Sequence, residues 1–117
     1  MSIDTRLRPR TDLESARARV TSNRELRKSN PATAKHMPHA DGELAALSWA
    51  LGAVPTAPLT GHIEVNVSNP VELDRERRVA TDMLYGKVPA DGRGDAYVSG
   101  VESTLMWILG ESDSEPF

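Results

Sequence analysis

Gly42-Glu43-Leu44-Ala45-Ala46-Leu47-Ser48-Trp49-Ala50-Leu51-Gly52 returns 58 residues later as Gly100-Val101-Glu102-Ser103-Thr104-Leu105-Met106-Trp107-Ile108-Leu109-Gly110. The shared pattern is Gly-x4-Leu-x-Trp-x-Leu-Gly, and it holds both tryptophans of the chain. Working outward without gaps, residues 31–59 lie on 89–117 with 8 identities in 29 positions, among them Pro31/Pro89, Ala32/Ala90 and Pro58/Pro116. The same offset carries Thr11 onto Asn69, Glu14 onto Glu72, Arg17 onto Arg75, Arg19 onto Arg77 and Leu26 onto Leu84. A self-match at fixed offset is the signature of a duplicated supersecondary unit. It predicts architecture and names no chemistry.

Each copy reads as a capped, charged helix followed by a loop and a short tryptophan-bearing helix. In the first, Thr11-x-x-Glu14 has the form of a capping box and opens a helix over about 12–29, with Leu13, Ala16, Val20 and Leu26 as a thin apolar stripe. Asn30-Pro31 stops it, because proline disfavours helical geometry in the residue before it. A polar loop containing Pro31 and Pro38 follows. Asp41 then caps a helix over about 42–51, apolar on most sides and therefore expected to be buried. In the second copy, Asn69-Pro70-Val71-Glu72 is a strong helix start, with Pro70 at the first helical position. That helix runs to about Tyr85, buries Val79, Ala80, Met83 and Leu84, and ends at Gly86. After a Pro/Gly/Asp-rich loop over 89–96, the last helix, about 99–109, buries Val101, Leu105, Ile108 and Leu109. Between the copies, His62–Ser68 alternates Ile63, Val65 and Val67 with polar residues, which is strand periodicity. It reads as an extended linker, as an edge that pairs between subunits, or as one short strand partnered by the Thr5–Pro9 region.

The expected fold is therefore all-α. Two αα-hairpins related by a pseudo-two-fold make one small four-helix domain. A flexible basic tail, 1–11, precedes a domain of two repeats, 12–59 and 70–117, joined by an extended segment 60–69. Leu, Ile, Val and Phe make up 24 of 117 residues, so the core is thin and neither hairpin has enough apolar face to stand alone. Trp49 and Trp107, with Leu47, Leu105, Leu51 and Leu109, are the core residues or interaction anchors. Duplication favours core, since a repeated fold must repeat its core whereas a site need not recur.

Net charge is −3 but divided: residues 1–39 carry +5 and residues 40–117 carry −8. Such an arm on an acidic body suits protein contact, or phosphate contact by counterion release. The candidates for the latter are Arg6, Arg8, Arg10, Arg17, Arg19, Arg24, Arg27 and Lys28. No aromatic residue interleaves them, so base stacking is not offered, and no helix-turn-helix or zinc-finger spacing is present. His36-x-x-His39-x-Asp41 has metal-ligand residue types, with His62 as a distant fourth, but lies in a proline-containing stretch without supporting pattern. Arg75, Arg77 and Arg78 interleave with Glu72, Asp74 and Glu76 as a solvated salt-bridged helix face. Arg93-Gly94-Asp95 reads as turn chemistry.

The chain has no cysteine, which removes disulfides, thiolate metal sites and a cysteine nucleophile. No phosphate loop or nucleophile elbow occurs, no cofactor is implied, and no apolar run is long enough to span a bilayer. The expected protein is cytoplasmic, non-enzymatic and binds another protein or itself; the alternative is a nucleic-acid-associated factor held by the basic arm. Arginine exceeds lysine 11 to 3, which suits a GC-rich genome, and the whole suits a phage or prophage accessory factor, virion-associated or inhibiting a host complex.

Overall fold

The computed structural model describes residues 8–29, 37–61, 70–88 and 94–111. They form four helices, α1 (Arg10–Lys28), α2 (Met37–Ala50), α3 (Pro70–Leu84) and α4 (Asp95–Ile108), with no strand among the described residues. The alternating segment His62–Ser68 lies outside them, as do Arg6, His36 and the acidic C-terminus. α2 and α4 cross at the centre, α1 lies against α2, and α3 lies against α4.

The central crossing is set by two glycines. A Cβ built on Gly42 would lie 2.1 Å from the Tyr97 carbonyl oxygen, and one on Gly100 would lie 2.2 Å from the His39 carbonyl oxygen. Glycine is required at both points because backbone meets backbone there. The contacts are reciprocal: His39 and Tyr97, like Gly42 and Gly100, stand 58 residues apart. Both central helices also end alike. The N–H of Gly52 donates to the Trp49 carbonyl (3.0 Å) and that of Ala53 to Ser48 (2.8 Å). Gly110 and Glu111 repeat this on Trp107 (3.1 Å) and Met106 (2.9 Å). These paired bonds are the Schellman closure, and they satisfy the last free carbonyls of each helix.

Several boundaries differ from those read off the sequence. α1 opens at Arg10, so Thr11 lies inside the first turn; the Pro9 carbonyl accepts from Asp12 and Leu13, and Glu14 faces Arg10 at 3.4 Å. The capping box is not used, and the tail gives way to helix earlier than residue 12. α2 starts at Met37 rather than 42, with Pro38 in its first turn, where proline removes no helical hydrogen bond. Asp41 is therefore an interior helical residue and not a cap. α4 likewise starts at Asp95, after Gly94, four residues before the expected 99.

The outer helices depart from the 58-residue register. α1 buries Leu13, Ala16 and Val20, whereas α3 buries Leu73, Glu76 and Ala80, an offset of 60. Val20 precedes Gly42 by 22 residues, but Ala80 precedes Gly100 by 20, because α1 runs further past its last buried residue than α3 does. The charge matches Glu14/Glu72, Arg17/Arg75 and Arg19/Arg77 are thus not equivalent in packing. Leu26 leaves the stripe expected of it and is 67% exposed. At about 100° per residue, the face through Leu13, Ala16 and Val20 continues to Arg24 and not to Leu26. Val79, Met83 and Leu84 pack partly buried against the core beside Ala80, as their spacing requires.

Candidate functional site

Both tryptophans are inside the molecule, Trp49 at 1% exposure and Trp107 at 3%, together with Leu47, Leu51, Leu105 and Leu109. They serve the core and are closed to a partner. The Trp49 Nε1 is buried without an acceptor among the described residues. Trp107 is covered from outside by Arg8. The Arg8 guanidinium lies 5.3 Å from the ring centroid, within cation–π range, and its Nε donates to the Trp107 carbonyl at 3.0 Å. The Arg8 backbone N–H donates to the Ile108 carbonyl at 2.9 Å. A cation is favoured there because the C-terminus of α4 carries partial negative charge.

Other members of the basic group are engaged in the same way. Arg17 Nε donates to the hydroxyl of buried Ser48 at 3.1 Å, joining α1 to α2. Arg24 Nε lies 2.6 Å from Asp41 Oδ1, a second tie between those helices. The hydrogen bond and charge of Asp41 raise the Arg24 guanidinium above its ordinary pKa. Arg10 faces Glu14, while Lys28 stands exposed at the end of α1. These contacts are intramolecular: Arg8 serves α4, and Arg17 and Arg24 serve α2.

The histidine cluster is not assembled among the described residues. His39 Nδ1 faces the buried carboxylate of Glu43 at 3.6 Å, and Asp41 holds Arg24. His36 and His62 lie outside the description. No group of three metal-ligating side chains occurs among the described residues.

Glu76 is the residue whose position the sequence concealed. Its neighbours pair along the helix: Arg75 meets Glu72 at 3.0 Å, Arg77 meets Asp74 at 3.0 Å, and Arg78 meets Asp74 at 2.9 Å, but only Arg75 and Arg78 of these stand exposed, so the expected solvated face is only partly one. Glu76 instead is 2% exposed and accepts from the Leu59 N–H (2.5 Å), the Thr60 N–H (3.0 Å) and the Thr60 hydroxyl (2.9 Å). It fastens the segment after α2 onto α3, satisfying the Leu59 N–H, which burial would otherwise strand. Its helical register offered the only signal, since 73, 76 and 80 share one face of α3.

What the described surface does display is apolar side chains on the outer helices. Leu26 in the last turn of α1, Val71 in the first turn of α3 and Tyr85 directly after α3 are 67%, 66% and 76% exposed. No described helix is long and apolar enough to cross a membrane. No family model, curated protein or solved structure matches the chain.

Proposed function

We propose that the chain is a non-enzymatic binding or assembly protein, built from two copies of one αα-hairpin unit, with its partner-facing surface on the outer helices. One observation carries the reading. Large apolar residues stand exposed at the same end of both outer helices, Leu26 on α1 and Tyr85 after α3, although the core is short of apolar material. Exposed apolar groups that a thin core could have used favour contact with another surface. The partner is a second copy or another protein, and a phage or prophage assembly is the setting the composition suits.

The phosphate-binding alternative is weaker, because Arg17 and Arg24 are held in contacts with α2. Sedimentation velocity across a wide concentration series, wild type against a Leu26→Lys/Tyr85→Lys variant, tests the assembly form. The expected result is concentration-dependent association of the wild type, lost in the variant at unchanged melting temperature. A wild type that stays monomeric throughout, or a variant that associates equally, refutes assembly through these residues.

A further inference from the structure

A cavity of about 230 Å³ lies where the N-terminus of α1 meets the C-termini of α2 and α4. Its described lining is Leu13, Ala50, Leu51, Leu73 and Ile108, all buried, together with Arg8 and Arg10. The two arginines are the lining residues that reach solvent, so they form the mouth, and they supply the only charge in the described lining. The cavity has a structural cause. Ile108 of α4 corresponds, at the 58-residue offset, to Ala50 of α2. Where the first side chain fills its side of the junction, the second stops at one methyl group.

We infer that this cavity is a binding site for a small amphiphilic carboxylate, with its hydrocarbon part among the leucines and its carboxylate at Arg8 and Arg10. An apolar cavity of about 150 Å³ takes a six-carbon ring, so this one takes about nine heavy atoms. Five aliphatic side chains exclude a polar body, since each buried polar group would lack a partner. Two guanidinium groups at one mouth select an anionic head, and carboxylate matches their planar donor geometry. Arg10 reaches Glu14 only at 3.4 Å on the exposed surface, so a ligand carboxylate competes for it at small cost. The site stands independently of the protein-binding reading, as neither Leu26 nor Tyr85 lines it.

Isothermal titration calorimetry of the full chain with sodium octanoate tests the assignment, with octanol and octylamine as matched ligands. Octanoate is expected to bind saturably at one site, and octylamine at least about tenfold more weakly, as loss of a charge-assisted contact implies. Arg10→Gln is expected to weaken octanoate several-fold while leaving octanol unchanged. Ala50→Ile, which restores the counterpart of Ile108, is expected to abolish binding of both. Because that variant risks overpacking, Arg10→Gln on the surface keeps the test open. Absence of saturable octanoate binding by the folded wild type overturns the site. Equal binding of octanoate, octanol and octylamine overturns the carboxylate class.

Discussion

Replacing Gly100 with alanine puts the α2–α4 crossing to the test. The added Cβ would stand 2.2 Å from the His39 carbonyl oxygen, 3.1 Å from the Glu43 nitrogen and 3.2 Å from the His39 carbonyl carbon. Carbon and carbonyl oxygen rest at about 3.3–3.6 Å, so the helices must part by about 1 Å. All three neighbours are backbone, and no side-chain rotamer relieves the clash. A gap of that size forfeits about a quarter to a half of each dispersion contact across the junction. Overpacking of this kind costs about 1–3 kcal/mol, and backbone on both sides places it at the upper end. Alanine returns about 1 kcal/mol through helix propensity. The net expectation is a loss of about 2 kcal/mol, read as a lowered midpoint in urea unfolding followed by circular dichroism. Gly42→Ala should behave alike, its Cβ meeting the Tyr97 carbonyl oxygen at 2.1 Å. Because both substitutions open the same gap, the double variant should lose less than the sum, with a coupling of about 1 kcal/mol. An unchanged or raised midpoint for Gly100→Ala, as propensity alone would give, refutes the close crossing.

Trp49→Ala and Trp107→Ala should each destabilise by about 3–5 kcal/mol, since both rings are core; denaturant titration at wild-type stability would contradict this for the variant concerned. Glu76→Ala should lose about 2–3 kcal/mol by freeing the Leu59 and Thr60 donors, whereas Arg78→Ala, at an exposed pair on the same helix, should change stability by under about 0.5 kcal/mol. Comparable losses for the two in thermal unfolding would show that Glu76 is an ordinary surface carboxylate. Duplex and single-stranded DNA should bind weakly at moderate salt, with no steep salt dependence, because Arg17 and Arg24 are engaged with α2. Tight binding that falls steeply with salt, and is lost when residues 1–7 are removed, would move the nucleic-acid alternative ahead.

The central helices were legible because their residues carry redundant signals. Leu47, Trp49, Leu51 and Gly52 recur at one spacing in both halves, and the helix stop and buried face follow from the same residues. Pro70 and Gly86 likewise marked α3, each through a backbone property independent of packing. The outer-helix register was less legible. Identities in charged residues set an offset of 58, but a solvated face constrains charge weakly, and burial follows 60. Leu26 misleads because apolar character alone does not bury a side chain; its angular position on the helix does. Asp41 misled because a cap and a mid-helix salt-bridge partner look alike until the position of Arg24 is known. Glu76 shows the limit most sharply. Nothing local separates it from Glu72, and only the arrival of Leu59 and Thr60 from elsewhere in the chain makes its burial possible. The cavity was invisible for the same reason, since it arises from tertiary placement of Ala50 opposite Ile108 rather than from any motif.

We propose that the α1–α2 and α3–α4 pairs are each incomplete until α2 packs on α4. Separate production of residues 1–61 and 62–117, followed by mixing and measurement by circular dichroism and sedimentation, tests this most directly. The prediction is that neither piece folds cooperatively as a monomer, and that mixing restores helix content in a one-to-one complex. Cooperative folding of either piece alone as a monomer, or a mixture that stays unfolded, would contradict it.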